Sequence, residues 1–377
     1  MNIAIFGGSF NPIHKEHVNI VKAAIRALSL DKVFVVPTYE TPKKECAPVS
    51  AQDRLNMCRL AFAGIDGVEV SDIEIQRGGV SYSYITCEEF AKKFYGDKIY
   101  FIVGADMLES FPKWKYTDRI LNCVTIAACA REREESLQKA VAVFRKSLKK
   151  EAATFGYVGA AVSASRVRAL AALGESISDY VPASVEKYIK ERGLYVRPEL
   201  SGVKNYLSPV RWQHVVRVAV CAVENCRRTG VDERSAITAA ALHDCAKYLT
   251  EGSPELKGFD FPAKVPPTVV HQYSGAYVAE KIFGISDENV LDAIRFHASG
   301  KRDMSALAKL IYLSDMLEEG RDFDGVENLR KVFMKDLDAG FAAALEHQIK
   351  YLKSVGAEIY PLTEEALDFI KGKQNDK

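Results

Sequence analysis

The chain has eight cysteines but no CxxC pair among them. That removes zinc ribbons and thioredoxin-type redox sites, and leaves reduced, core-filling thiols as the expectation. No apolar run approaches the roughly 20 residues a membrane-spanning helix needs. The opening MNIAIFGG carries no basic segment ahead of an apolar core, unlike a secretory signal. A cytoplasmic location without a membrane partner is therefore expected. Excess charge is missing too: 51 Lys and Arg face 50 Asp and Glu, a net charge of +1. No global field draws the chain to nucleic acid, and no nucleic-acid partner is expected. Neither GxGxxG nor GxxxxGK[ST] occurs, so a Rossmann dehydrogenase and a P-loop NTPase are both unsupported.

What is present divides in two. A chain of 377 residues exceeds what one core usually takes. In the first half, short β-branched or aromatic runs at Asn2 to Phe6, Lys32 to Val36, Lys98 to Val103, Cys123 to Ala128 and Thr154 to Val158 alternate with helix-like segments. That alternation predicts a Rossmann-like α/β domain with a parallel sheet. The stretch 131–150 reads as a solvated amphipathic helix. After the loop-like RPELSGVKNYLSP, strand signals cease, and helices are predicted over 208–229, 232–249, 268–283, 286–298, 303–318 and 327–352. The expected domains are 1–197 (α/β) and 203–377 (all-α).

In IAIFGGSFNPIHKEH, Gly7 and Gly8 let the backbone turn sharply after the first strand and approach a ligand closely. His14 and His17 are three apart at the start of the following helix, where imidazoles can donate to phosphate oxygens. The stretch GSFNPIHKEH resembles the GxFxPxHxGH signature of the nucleotidylyltransferase superfamily. VPTYETPKK, EIQRGGVSYSYIT, FIVGADMLESFPKW and VSASRVRALAALGESISDYVPASVEKYIKERGLY then follow in the order of the nicotinate-nucleotide adenylyltransferase family, over residues 1 to about 196. The resemblance implies attack by the phosphate of nicotinate mononucleotide on the α-phosphorus of ATP, with Mg2+ accompanying ATP. It implies nucleotide contacts at Gly7, Gly8, Ser9 and Phe10, and phosphate contacts from His14, His17, Lys44, Ser163, Ser165 and Arg168. It also implies sugar contact at Gly104 and Asp106, pyridine stacking on Trp114, and nicotinate contact at Tyr82 and Ser83. Taken singly, Trp114 reads equally as core, Asp106 as a helix cap and Ser165 as surface. The chain departs from the pattern at Glu16, where glycine is usual, at Ala164, where a hydroxyl is usual, and at Lys43, where histidine is common. A carboxylate beside polyphosphate would repel it, so an attenuated, nucleotide-binding first domain is the alternative.

Histidine is scarce, at seven residues. Four of them, His214, His243, His271 and His297, are spread over successive predicted helices, with Asp244 and Asp315 beside them in order. Such a set predicts convergence on one site inside a helical bundle. RWQHVVRVA, LHDCAK, HQYSGAYVA, AIRFHASG and MSALAKLIYLSDMLEEGRDFDGVENLR resemble the HD-domain metal phosphohydrolases, in particular the bacterial family that splits diadenosine tetraphosphate into two ADP. The resemblance implies one metal on His214, His243, Asp244 and Asp315, and a second on His271 and His297 with Asp244 bridging. Imidazole and carboxylate donors suit iron or manganese. Lys247 would neutralise phosphate charge, while Arg295 and Arg321 read as well as surface ion pairs. Cys245 reads as packing. An alarmone or a nucleoside monophosphate is the alternative substrate, and assembly into a homo-oligomer stays open.

Overall fold

The computed structural model describes residues 1–41, 49–130, 134–157, 159–160 and 162–375. Two compact units emerge, one of Met1–Val167 and Ser176–Tyr195, the other of Arg168–Glu175 and Val196–Lys377.

The first unit is built on β1 (Asn2–Gly8), β2 (Lys32–Pro37), β3 (Val68–Val70), β4 (Lys98–Gly104), β5 (Thr125–Cys129) and β6 (Ala153–Thr154). All pair in parallel, in the order β3-β2-β1-β4-β5-β6. The connecting helices are α1 (Lys15–Leu28), α2 (Ala51–Phe62), α3 (Ile73–Arg77), α4 (Ser83–Lys93), α5 (Ala105–Ser110), α6 (Thr117–Cys123), α7 (Glu134–Leu148), α8 (Ala164–Ala172), of which only the part up to Val167 belongs to this unit, and α9 (Ala183–Arg192). Helices on both faces explain why the central strands are continuous apolar runs: Ile3, Ala4, Ile5, Val33 and Val35 are fully buried. The edges were harder to read. β3 is three residues with only intermediate or no burial, so it carries no apolar run. At the other edge, the strand expected from Thr154 onward ends at Thr154. Cys123, expected to open a strand, instead closes α6. The strand order reverses between β1 and β4, so the loops after them share the carboxyl edge of the sheet, where doubly wound folds bind ligands.

The second unit is helical: α10 (Pro209–Thr229), α11 (Glu233–Leu242), α12 (Pro267–Lys281), α13 (Glu288–Arg295), α14 (Ala306–Leu317), α15 (Val326–Lys335), α16 (Leu337–Ser354) and α17 (Pro361–Asn375). Two expected helices change. The one over 232–249 stops at Leu242, so His243 and Asp244 sit on a turn. The one over 327–352 is broken at Asp336, whose extended backbone and side chain, accepting from the Ala339 amide, start a new helix. Ala239, Ala240 and Ala241 are fully buried, and their small side chains let α11 lie close against α10, α13 and α14.

Candidate active sites

In the first unit, β1 ends on Gly7 and Gly8, and α1 begins one residue after His14. A Cβ on Gly8 would stand 3.0 Å from the Phe10 ring. Glycine therefore lets Phe10 fold back, and its ring meets His17 edge-on at 5.1 Å. His14 is buried and stacks on His17 at 3.6 Å between centroids. The His14 amide donates to Nδ1 of His17 at 3.2 Å, which places the His17 proton on Nε2. Opposite, after β4, Gly104 caps α5 and Asp106 is exposed in its first turn, so Asp106 is not the cap. Trp114 packs on Phe111 at 5.0 Å and is partly buried. Tyr82 is the residue before α4, with Ser83 its first residue, and Lys115 Nζ lies 4.6 Å from the Tyr82 ring centroid. Ser163 Oγ accepts from the Arg166 amide at 3.0 Å and so caps α8, on whose first turn Ser165 lies. Arg168 belongs to the second unit, where it forms a two-pronged ion pair with Glu233, Nε to Oε1 being 2.6 Å. Lys43 and Lys44 lie outside the described residues.

The second unit gathers all six residues nominated there. His214 comes from α10, His243 and Asp244 from the turn after α11, His271 from α12, His297 from the turn after α13, and Asp315 from α14. Gly275 of α12 packs against this turn: a Cβ there would lie 3.4 Å from the His243 carbonyl, an ordinary contact. Cys245 is buried and points its sulfur at the Gly275 carbonyl, 3.6 Å away. Candidate ligand atoms of His214, His243 and Asp315 lie within 4.8 Å of one another, as do those of His243, Asp244 and His297. His271 Nε2 is 3.3 Å from Asp244 Oδ1 and 3.2 Å from His297 Nε2.

The tautomers are set from behind. His243 Nδ1 donates to the Ala240 carbonyl at 2.7 Å, and His297 Nδ1 to the Ile294 carbonyl at 2.8 Å. Carbonyls only accept, so each Nε2 keeps its lone pair and faces the cluster. His214 Nε2 is 2.9 Å from Asp315 Oδ1, yet not aligned as a hydrogen bond. The buried atoms His214 Nε2, His243 Nε2 and Asp244 Oδ1 have no hydrogen-bond partner of good geometry. Uncompensated, such burial is costly. Lone pairs converging on one point, without protons between them, fit a divalent cation.

Charge follows the same logic. Burial, with the Lys247 ammonium adding to it, pushes the His271 imidazole down to about 3, so it is neutral, as a ligand must be. At the solvent side stand three cations. Arg211 Nη1 is 3.0 Å from Asp244 Oδ2, Lys247 Nζ is 3.0 Å from His271 Nε2, and Arg321 Nη2 is 2.7 Å from Asp315 Oδ1. Beside them lies a cleft of about 420 Å³ lined by Lys247, Leu249, Pro267, Val270 and His271.

A cytidylyltransferase-like family model matches residues 5–170, and an HD domain model matches residues 211–320. A Mycoplasma genitalium protein named "Probable nicotinate-nucleotide adenylyltransferase/Ap4A hydrolase" is 30% identical over 325 residues, 85% of this chain and 88% of its own. The chain belongs to the nicotinate-nucleotide adenylyltransferase/Ap4A hydrolase family. A Mycoplasma pneumoniae member with the same name is 29% identical over 364 residues, 93% of this chain and 99% of its own. A Gemmatimonas aurantiaca protein named "Probable nicotinate-nucleotide adenylyltransferase" is 31% identical over 195 residues, 52% of this chain and 92% of its own. The N-terminal half is thus a nucleotidyltransferase-type domain, and the C-terminal half an HD domain of the hydrolase type.

Within the HD domain, sequence reading missed Arg211, Arg217 and Glu318. Glu318 is 1% exposed, accepts from His214 Nδ1 at 3.0 Å, and is held by Arg217. Burial opposes its charge, but bonds from His214, Arg217 and the Gly320 amide bring it down to about 2. A three-residue spacing was the available signal, from His214 to Arg217 and from Asp315 to Glu318. Arg295, weighed above as a phosphate contact, pairs with Asp292 at 2.8 Å. Within the nucleotidyltransferase-type domain the missed residue is Arg54. It is 2% exposed and donates to the Ser9 carbonyl at 2.7 Å and the Tyr39 carbonyl at 2.9 Å, bracing the glycine turn from beneath. Among the described residues, no helix is long and apolar enough to cross a membrane.

Proposed function

We propose that this chain is a bifunctional enzyme of nucleotide metabolism. Its N-terminal domain transfers adenylyl from ATP to nicotinate mononucleotide, forming the deamido dinucleotide of NAD biosynthesis and pyrophosphate. Its HD domain hydrolyses diadenosine tetraphosphate to two ADP. The observation that carries the hydrolase is the convergence of His214 Nε2, His243 Nε2 and Asp244 Oδ1 without hydrogen-bond partners. The transferase reading rests on the stacked His14–His17 pair at the reversal point of the sheet and on the names the relatives carry.

In the transfer, a phosphate oxygen of the mononucleotide bonds to the α-phosphorus as the bond to pyrophosphate breaks. No covalent enzyme intermediate is required, so the residues position reactants and stabilise charge. His14 and His17 donate to phosphate oxygens, and Ser163, Ser165 and Lys44 take the outgoing phosphates. The family resemblance also implies a phosphate contact from Arg168, which pairs with Glu233. Gly7, Gly8, Ser9 and Phe10 shape the nucleotide cradle, while Gly104 and Asp106 meet the sugar. Trp114, Tyr82 and Ser83 receive the nicotinate. Mg2+, when bound with ATP, would screen its phosphates.

In the HD domain, His214, His243, Asp244 and Asp315 would hold one ion, and His271 and His297 a second, with Asp244 shared. The donor set suits iron or manganese. Two such ions, when bound, supply an activated water and charge neutralisation for phosphoryl displacement. Arg211 and Lys247 then neutralise the outlying phosphates, and the 420 Å³ cleft beside Lys247 offers room for a nucleoside.

Chromatography of the products tests both halves. Diadenosine tetraphosphate should yield two ADP; ATP plus AMP, or no cleavage, sinks the hydrolase reading. Release of pyrophosphate from ATP should require nicotinate mononucleotide, and its absence sinks the transferase reading.

A further inference from the structure

His214 is bracketed by two carboxylates. Asp315 Oδ1 faces its Nε2 at 2.9 Å, and Glu318 Oε1 faces its Nδ1 at 3.0 Å. Asp315 lies on the last turn of α14 and Glu318 caps its end, so one turn of chain presents both. Glu318 Oε2 accepts from Arg217 Nε at 2.6 Å and from the Gly320 amide. Arg217 follows His214 by one helical turn on α10, so the same helix supplies the imidazole and the cation that holds its carboxylate. Gly320 leaves the room: a Cβ there would stand 2.6 Å from Arg217 Nε. The Glu318 carbonyl accepts from Arg330 Nη2 at 2.7 Å, fastening this end to α15.

Packing alone does not call for this arrangement. A buried carboxylate, cation and imidazole are generally no better for stability than apolar residues of the same volume. They do fix a proton. The Nδ1–Glu318 contact is aligned as a hydrogen bond and the Nε2–Asp315 contact is not, so the neutral imidazole carries its hydrogen on Nδ1 and leaves the Nε2 lone pair inside the cluster.

We propose that Glu318, clamped by Arg217, is the positioning residue that holds His214 in its metal-ligating tautomer, and that divalent-ion binding at the His214–Asp315 half of the cluster depends on it. This rests on the metal reading of the HD domain.

Glu318→Gln is a near-isosteric test with a directional consequence. Two short donors, Arg217 Nε and the Gly320 amide, converge on Oε2, whereas Arg217 reaches Oε1 only from Nη2 at 3.3 Å. The amide oxygen must take the Oε2 position, so the NH2 group faces His214 Nδ1. The imidazole proton then moves to Nε2 and blocks the ligand.

The experiment is performed on the metal-stripped full chain. Nitrogen-15 NMR of the imidazoles reads the His214 tautomer, and calorimetric titration with Mn2+ reads affinity. Wild type should show a protonated Nδ1. Glu318→Gln should show a protonated Nε2, and should bind its first Mn2+ roughly ten- to a hundredfold more weakly. Should Glu318→Gln fail to fold by circular dichroism, Arg217→Met takes its place, with a weaker Mn2+ affinity expected. An unchanged tautomer with affinity within twofold of wild type overturns the proposal. Wild type that binds no Mn2+ overturns the metal reading itself, and the proposal with it.

Discussion

Tyr157 Oη donates to Glu16 Oε2 at 2.6 Å, and the Ala160 amide donates to the same oxygen at 3.0 Å. Glu16 stands where the family signature has glycine, and its charge suggested repulsion of polyphosphate. The carboxylate also binds the segment leading to Ser163, and its other oxygen accepts from Asn19 at 3.1 Å. The missing glycine reappears across the contact: a Cβ on Gly159 would lie 2.1 Å from Glu16 Oε2.

Glu16→Gly is therefore expected to lower pyrophosphate release about tenfold, chiefly through KM for ATP, because a loosened segment costs roughly 1.4 kcal/mol of positioning. Gly159→Ala should be as harmful in wild type and only partly relieved in the Glu16→Gly background, where the Tyr157 ring at 2.9 Å remains in the way. Steady-state kinetics of this double-mutant cycle reads the coupling. A rise in activity for Glu16→Gly alone would show the glutamate to be inhibitory.

Arg54→Met would strip two part-buried carbonyls, those of Ser9 and Tyr39, of their donor. A loss of about 1–3 kcal/mol of stability is expected, at roughly 0.5–1.5 kcal/mol for each lost hydrogen bond. Urea unfolding followed by a probe in the N-terminal domain measures it. A loss under about 0.5 kcal/mol would mean water replaces the guanidinium.

Asp53 ties α2 to α9, accepting from Ser50 Oγ at 2.6 Å and Tyr188 Oη at 2.8 Å. Burial would raise its carboxyl, but these hydroxyls and Arg192 prevail and hold it below 3.8. The unfolded chain thus binds the proton more readily. The stabilisation is complete above about pH 3.8 and is lost as pH falls through the folded value. Urea midpoints of wild type and Asp53→Asn should differ by a constant amount above pH 5 and converge toward pH 3. A gap that persists in acid would assign the stability to something other than ionisation.

Metal removal should act on one domain. Chelation is expected to lower the melting of the HD domain and leave the N-terminal transition in place, with Mn2+ or Fe2+ restoring the loss. At an ion concentration of about 100 Kd the recovered stability is roughly 2.7 kcal/mol. His243→Ala should abolish that recovery, as calorimetry would show. If both transitions move together, the ion acts elsewhere.

The doubly wound sheet followed by a helical domain was legible in the sequence alone, because strand alternation and its loss are local patterns. So was the nomination of the six residues that the HD domain gathers, since scarce histidines recurring on successive helices stand out by composition. Their joint order supplied what no single one could. What stayed hidden depends on contacts between distant residues. The end of α11 at Leu242 leaves His243 and Asp244 on a turn packed against Gly275 of α12. The bonds from Glu318 to His214, from Tyr157 to Glu16 and from Arg168 to Glu233 join residues 104, 141 and 65 positions apart. No periodicity reports such pairings. Charged residues read as surface or as ligand contacts until the fold buries them, and burial is what obliges each to find a partner.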